Sequence, residues 1–347
     1  MRIEDVCTVF ADGDWIETKD QSDSGIRLVQ TGNIGEGIYV EKSGKERYIS
    51  EETFNRLGCT EIFPGDILVS RLPDPVGRGC IIPEKAERMI TAVDCTICRV
   101  NERLADRKYF CYFLHSPGYY QQLLQSVTGT TRKRISRKNL GNVDIQLPHL
   151  SIQQKVVDKL DRLSIIIDSR KREIQYLDDL IKARFVEMFG DPVANPKGWR
   201  VIPWEGVFDT KTGKLDSNAA VEGGKYPFFT CAKDWLWIDK YAYDCEALLL
   251  AGNNAAGVYD VKHYKGKFNA YQRTYILQLK DVDCSYSMFK YQLEDRLQYL
   301  QSQSKGTNTR YLTMGILNSL AFIVPPKEMQ DEFTAFVAQV DKSKLIA

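Results

Sequence analysis

The sequence predicts an α+β protein: two globular, mostly β domains joined by a long helix. Three observations carry this reading: one long helical seam in the middle of the chain, short β-like runs on both sides of it, and an internal repeat displaced by 177 residues. At 347 residues there is room for two or three domains. The composition, 43% hydrophobic and 27% charged, is that of a folded chain and excludes disorder. Forty-seven basic residues against 46 acidic ones give a net charge of +1, so any polyanion surface must come from local segregation of charge. The start, MRIEDVCTVFADGD, lacks a basic segment followed by an apolar stretch. No apolar run approaches the roughly 20 residues that span a bilayer, and no membrane partner is expected. Nine scattered cysteines fit reduced thiols and a cytoplasmic location.

Residues 1–148 form the first expected domain, with strand-like runs such as Ile26-Arg27-Leu28-Val29, Ile67-Leu68-Val69 and Cys80-Ile81-Ile82 divided by Gly, Asp and Pro. A helix is expected over 149–190. Steps of three and four from Gln153 reach Val156, Leu160, Leu163, Ile167, Ile174, Leu177, Ile181 and Met188, the seam of a helix that seeks a helical partner. Ser151 is its expected N-cap, with Gln154 in capping-box position, and Gly190 followed by Pro192 ends it. Residues 191–325 form the second domain, with the runs Leu248-Leu249-Leu250 and Tyr275-Ile276-Leu277, and 326–347 a second helix starting near Pro326.

The domains are related. The displacement pairs Asp106 with Asp283, Tyr109 with Tyr286, Gly129 with Gly306, Pro148 with Pro325 and Gln153 with Gln330, and keeps Ile135/Leu312, Val143/Leu320 and Val156/Phe333 apolar. A period this long means duplicated domains rather than a solenoid. The seams Val156, Leu160, Leu163, Ile167 and Phe333, Val337, Val340 are expected to bury each other.

The repeat point opens two comparable polar loops. The first carries Thr131, Arg132, Lys133, Arg134, Arg137 and Lys138; the second carries Thr307, Asn308, Thr309, Arg310 and Tyr311. Arg forks onto guanine, Asn reads adenine, and Lys and Thr hold phosphates, so both loops suit DNA, with a solvated charge run as the alternative. Further candidate readers follow the strand-like runs: Gln30, Thr31, Asn33 and Arg71 in the first domain, Asn253, Gln272 and Arg273 in the second. For these, ordinary turn chemistry is the alternative.

Signals for catalysis are poor. The three histidines, His115, His149 and His263, have no ligand spacing. Cys95 and Cys98 have the CxxC form without a second pair, and read as buried thiols rather than a zinc site. No GxxxxGK[ST], GxSxG or GxGxxG occurs. Asn195-Pro196-Lys197-Gly198 only approximates the Asn-Pro-Pro-aromatic motif of amino-methyltransferases, and Pro73-Asp74 with Glu84-Lys85 only approximates a nuclease carboxylate–lysine set. No catalytic or metal residue is assigned.

The order of domain, helix, domain, helix resembles the specificity subunit of type I DNA restriction–modification systems. Local matches are Gly25-Ile26-Arg27-Leu28-Val29-Gln30-Thr31-Gly32-Asn33-Ile34, Phe63-Pro64-Gly65-Asp66-Ile67-Leu68, Ile152-Gln153-Gln154-Lys155 and Met188-Phe189-Gly190-Asp191-Pro192. The resemblance implies two target-recognition domains reading a bipartite, gapped DNA site, and helices that pair as an antiparallel coiled coil. It also implies docking of two methyltransferase subunits, with restriction subunits where present. No cofactor is then expected on this chain; S-adenosylmethionine, ATP and Mg²⁺ belong to the partners. One departure is that the second helix has only about twenty residues after Pro326, with no counterpart of 174–188. The rival readings are an enzyme with fused recognition domains and a coiled-coil adaptor that binds no DNA.

Overall fold

The computed structural model describes residues 1–129, 133–255, 257–281 and 284–346. It divides into two compact units, Met1–Ile167 and Asp168–Ala347.

In the first unit the strands are β1 (Cys7–Asp12), β2 (Ile26–Val29), β3 (Tyr48–Ile49), β4 (Glu61–Ile62), β5 (Ile67–Ser70), β6 (Gly79–Ile81), β7 (Met89–Thr91) and β8 (Cys95–Val100). They form two four-stranded sheets, ordered β1-β8-β5-β6 and β3-β2-β7-β4. Leu68, Ile97, Val29 and Met89 fill the space between the sheets. The other face of the first sheet carries Ile67, Val69 and Cys98. It is covered by Phe110 and Leu114 at α2 (Arg107–Phe113) and by Tyr119 and Leu123 of α3 (Pro117–Leu124). Successive strand residues therefore serve opposite cores, the period-2 rule of a doubly covered strand. Cys95 and Cys98 obey it too. They sit in different clusters, three residues apart on one strand, and cannot converge on a metal. Burial pushes the Cys95 thiol up to about 12, while a hydrogen bond with Cys7 and burial raise Cys98 well above the ordinary thiol range.

Two short helices, α1 (Glu51–Leu57) and α4 (Arg137–Gly141), complete that unit; α5 (Leu150–Phe189) is one continuous helix of 40 residues. Its N-cap corrects the expectation. His149, not Ser151, stands before the first turn, and its Nδ1 accepts the Ser151 amide at 3.3 Å, while Gln154 bonds Asp158 instead of closing a capping box. The C-terminus is as expected: Gly190 takes φ +79° and returns its N–H to the Val186 carbonyl.

The second unit continues with β9 (Arg200–Pro203), α6 (Trp204–Val207), β10 (Phe208–Thr212), β11 (Tyr226–Phe229), β12 (Leu236–Ile238), β13 (Tyr243–Ala251), β14 (Asn253–Asn254), β15 (Val261–Ala270) and β16 (Thr274–Leu279). After these come α7 (Tyr286–Asp295), α8 (Leu297–Gln303), β17 (Arg310–Tyr311), α9 (Met314–Leu317), β18 (Ala321–Val324) and α10 (Lys327–Lys344). Six strands form one sheet, β10-β16-β13-β15-β11-β12. Leu248 and Leu250 face Phe289 and Leu293 of α7, whereas Ala247 and Leu249 face Phe229 and Phe268.

The two units share one topology. The antiparallel pairs Ile62–Met89 and Val69–Gly79 of the first recur as Tyr243–Phe268 and Leu250–Val261 of the second. So β13 unites the counterparts of β4 and β5, and β15 those of β6 and β7. The parallel pair Val29–Thr91 recurs as Phe229–Ala270. The repeated glutamines play the same part in both units. Each is buried, and its amide nitrogen donates to the carbonyl of the repeated proline, Gln153 to Pro148 at 2.7 Å and Gln330 to Pro325 at 2.9 Å.

Helix α10 runs antiparallel to the C-terminal part of α5, as the ion pairs Arg184–Glu332 (2.6 Å) and Lys344–Asp178 (2.7 Å) show. The expected register of the seam is corrected. Phe333 packs edge-to-face on Phe185 and Phe189 at 5.5 and 5.6 Å, with Tyr291 of α7 and the half-buried Val337 in the same cluster. Val340 is buried. Of the other positions expected in the seam, Leu163 and Ile167 are 53% and 52% exposed, and Val156 and Leu160 half-buried. The reason is that Phe185 and Phe189, one turn apart, form an aromatic cluster with Phe333 and Tyr291 that β-branched and leucine positions cannot match.

The match around Gly190 is a cap. Asp191 Oδ1 accepts the amides of Val193 and Ala194, Lys197 Nζ donates to the carbonyls of Glu187 and Met188, and Trp199 Nε1 donates to that of Phe189. Three of the carbonyls left open at the end of a helix are thereby filled. Among the described residues no helix is long and apolar enough to cross a membrane, and no group of His, Cys, Asp or Glu could hold a metal ion.

Candidate nucleic-acid interface

Most of the polar positions singled out in each domain meet at one end of its sheet system, held by a hydrogen-bond frame that the two units share. In the first unit the Arg71 amide, just past β5, donates to the Asp94 carbonyl (2.9 Å), and the Arg71 carbonyl accepts from Ile135 (3.2 Å). In the second, the Gly252 amide, just past β13, donates to the Arg273 carbonyl (2.8 Å), and the Gly252 carbonyl accepts from Leu312 (2.8 Å). The repeat loops close alike: Thr128 and Arg134 exchange both backbone bonds, and so do Lys305 and Tyr311. Gly129 and Gly306 open them at φ +94° and +101°, and at Gly306 a Cβ would lie 2.2 Å from the Thr309 carbonyl oxygen, so only glycine fits.

Side chains differ on this common frame. In the first unit Lys133, Arg134, Arg137 and Lys138 are exposed. Arg134 pairs with Asp94 at 2.9 Å, and Asp12 lies 3.6 Å from Arg137 and 3.3 Å from Arg71. Thr131 and Arg132 lie outside the described residues. In the second unit Thr307, Asn308, Thr309, Arg310 and Tyr311 are exposed. Asn253 pairs with Tyr311 and Asn254 with Arg310 as two short strands, which brings two separate candidate segments together. Gln272 and Arg273 are exposed in the turn from β15 to β16.

Two expected readers are corrected to scaffold. Arg71 is 5% exposed, its guanidinium donating to the Val93 carbonyl at 2.5 Å and facing Asp12. Asn33 is 4% exposed, with its Oδ1 accepting from the Gln30 amide and its Nδ2 donating to the Val40 carbonyl. Neither can leave without orphaning buried polar groups. Gln30 and Thr31 are half-buried beside them, and Arg78, also buried, gathers the carbonyls of Thr31, Ile34, Leu72 and Pro75. Sequence reasoning missed Asp12 and Asp94, the latter standing in the frame where Arg273 stands in the second unit. It also missed Lys233 and Trp235, in the segment after β11 as Gln30, Thr31 and Asn33 are in the segment after β2; Trp235 is 45% exposed and stands edge-on to Phe229 at 5.1 Å.

Two units of one topology, each with its own polar rim on a constant frame, define a duplicated binding protein. The chain belongs to the family described as type I restriction modification DNA specificity domain, whose model matches residues 1–178 and 196–347. It is 33% identical over 153 residues to the Type I restriction enzyme EcoDI specificity subunit of Escherichia coli, an alignment that covers 43% of this chain and 33% of that relative's length. In fold it is similar to the S subunit of a type I restriction–modification system from M. genitalium, with a TM-score of 0.53 at 15% identity, covering 99% of this chain and 89% of the other. It is similar as well to a chain from a study of complex assembly and conformational transition of the type I R-M system, with a TM-score of 0.50 at 20% identity, covering 100% and 90%.

Proposed function

We propose that this chain is the DNA-reading subunit of a type I restriction–modification complex. Each unit reads one half of a bipartite, gapped target, and the chain directs methyltransferase subunits, and restriction subunits where present, to that target. The observation that carries the reading is the doubled frame: identical backbone bonds at Arg71/Gly252 and Ile135/Leu312 present unlike side chains. A constant frame positions the duplex, and variable side chains on it specify bases. Because the rims differ, the two half-sites differ and the target is asymmetric. The chain is non-catalytic in this reading; S-adenosylmethionine, ATP and Mg²⁺ are held by its partners, and the complex works in the cytoplasm beside the chromosome.

The test is a methylome of cells expressing this chain with its methyltransferase. The expected result is an asymmetric motif of two short specific parts separated by a fixed run of unspecified bases. A continuous motif, or a palindrome without a gap, overturns the proposal.

A further inference from the structure

We propose that Asp94 and Asp12 set the specificity of the first unit by restraining its cations. The inference rests on the DNA-reading function proposed above and concerns how discrimination arises there. Arg134 sits on the exposed loop and Arg137 opens α4 right after it, both exposed, where an Arg gains most from indiscriminate contact with phosphate. Each faces a carboxylate of the frame: Asp94 at 2.9 Å from Arg134 and Asp12 at 3.6 Å from Arg137. The carboxylates are themselves fixed. Asp94 lies in the turn whose carbonyl receives the Arg71 amide, and Asp12 ends β1 against the buried Arg71 guanidinium. Two buried atoms there, Arg71 Nε and Asp12 Oδ1, have no hydrogen-bond partner among the described residues.

The second unit inverts this arrangement. Arg273 occupies the frame position of Asp94, and Gly252 that of Arg71. Among the described residues neither Arg273 nor Arg310 has a carboxylate partner; the Arg310 guanidinium donates to the Gln301 carbonyl at 3.1 Å. Among the described residues Arg273 and Arg310 thus have no carboxylate to leave, whereas a DNA site must draw Arg134 and Arg137 away from Asp94 and Asp12. A phosphate alone exchanges one anion for another and gains little. A base edge together with a phosphate gains both a specific hydrogen bond and the ion pair, so the carboxylates penalise contact with the wrong sequence more than with the right one.

The experiment uses the full chain in complex with its methyltransferase, a duplex bearing the motif from the methylome, and a scrambled duplex of equal length. Affinities are measured at several salt concentrations for wild type, Asp94→Asn, Arg134→Gln and the double variant. Asp94→Asn is chosen over a change at Asp12, which would strip the buried Arg71 of its partner. The expected result is that Asp94→Asn tightens the scrambled duplex roughly 2–5-fold, the range of one exposed ion pair, with a steeper salt dependence. The motif duplex should change less, so the ratio falls. In the Arg134→Gln background the gain should vanish. An unchanged ratio overturns the proposal, as does a loss of more than tenfold confined to the motif duplex, which would mean that Asp94 itself contacts a base. If the wild-type complex binds no duplex at all, the proposed function falls and this inference with it.

Discussion

Arg71 shows how position decides what a residue can do. By type and place in the sequence it is a base reader; in the fold its guanidinium is closed in by Asp12 and the Val93 carbonyl. Arg71→Ala should destabilise the first unit by about 2–3 kcal/mol, because Asp12 loses the buried one of its two cations and the half-buried Val93 carbonyl its donor. Thermal unfolding checks this, and a variant as stable as wild type would contradict the assignment. Lys133 and Lys138, both exposed, should behave oppositely. Their replacement by Ala should leave stability unchanged, weaken DNA of any sequence alike, and lower the salt slope by about one for each phosphate ion pair removed. Unaltered affinity at low salt would make the loop a solvated charge run.

Among the elements, α5 and α10 are held together by aromatics more than by a leucine seam. Phe185 is fully buried and touches Phe189, Phe333 and Tyr291. Phe185→Ala should cost the second unit about 3–5 kcal/mol, the usual penalty for emptying a large aromatic site. Ile167→Ala, at a 52% exposed position, should cost less than about 0.5 kcal/mol. Chemical denaturation of the two variants separates the aromatic register from the one the heptad suggests; equal losses would contradict it.

At the scale of the whole molecule, the proposed function makes α5 a ruler between two half-sites. One heptad inserted between Ile167 and Ile174 adds about 10 Å of helix and nearly preserves its facing direction. The gap in the methylated motif should then lengthen by about three base pairs, at about 3.4 Å of rise each. A motif with an unaltered gap would show that the spacing is set elsewhere.

The amino-acid sequence alone determined the α+β class, the long helix with its Gly190 stop, and the duplication. These depend on local rules: period, turn chemistry and identities such as Gln153/Gln330, whose buried hydrogen bonds admit little else. The duplication was legible only beyond residue 106, because there one displacement holds without gaps. Nearer the N-terminus of each unit it shifts, so that Val29 answers to Phe229, and two strands of one unit fuse into one of the other. Tertiary structure alone decided which polar residues are free. The pattern that marks Arg71 and Asn33 as turn-flanking polar residues is the same for a reader and for a brace. Only the arrival of Asp12 and Val93 from distant segments, and the folding back of the chain from Asn33 to Val40, turns these two into braces. The register of α10 on α5 was likewise undecided, since a heptad states that a seam exists while the aromatic contacts of α7 choose its partner.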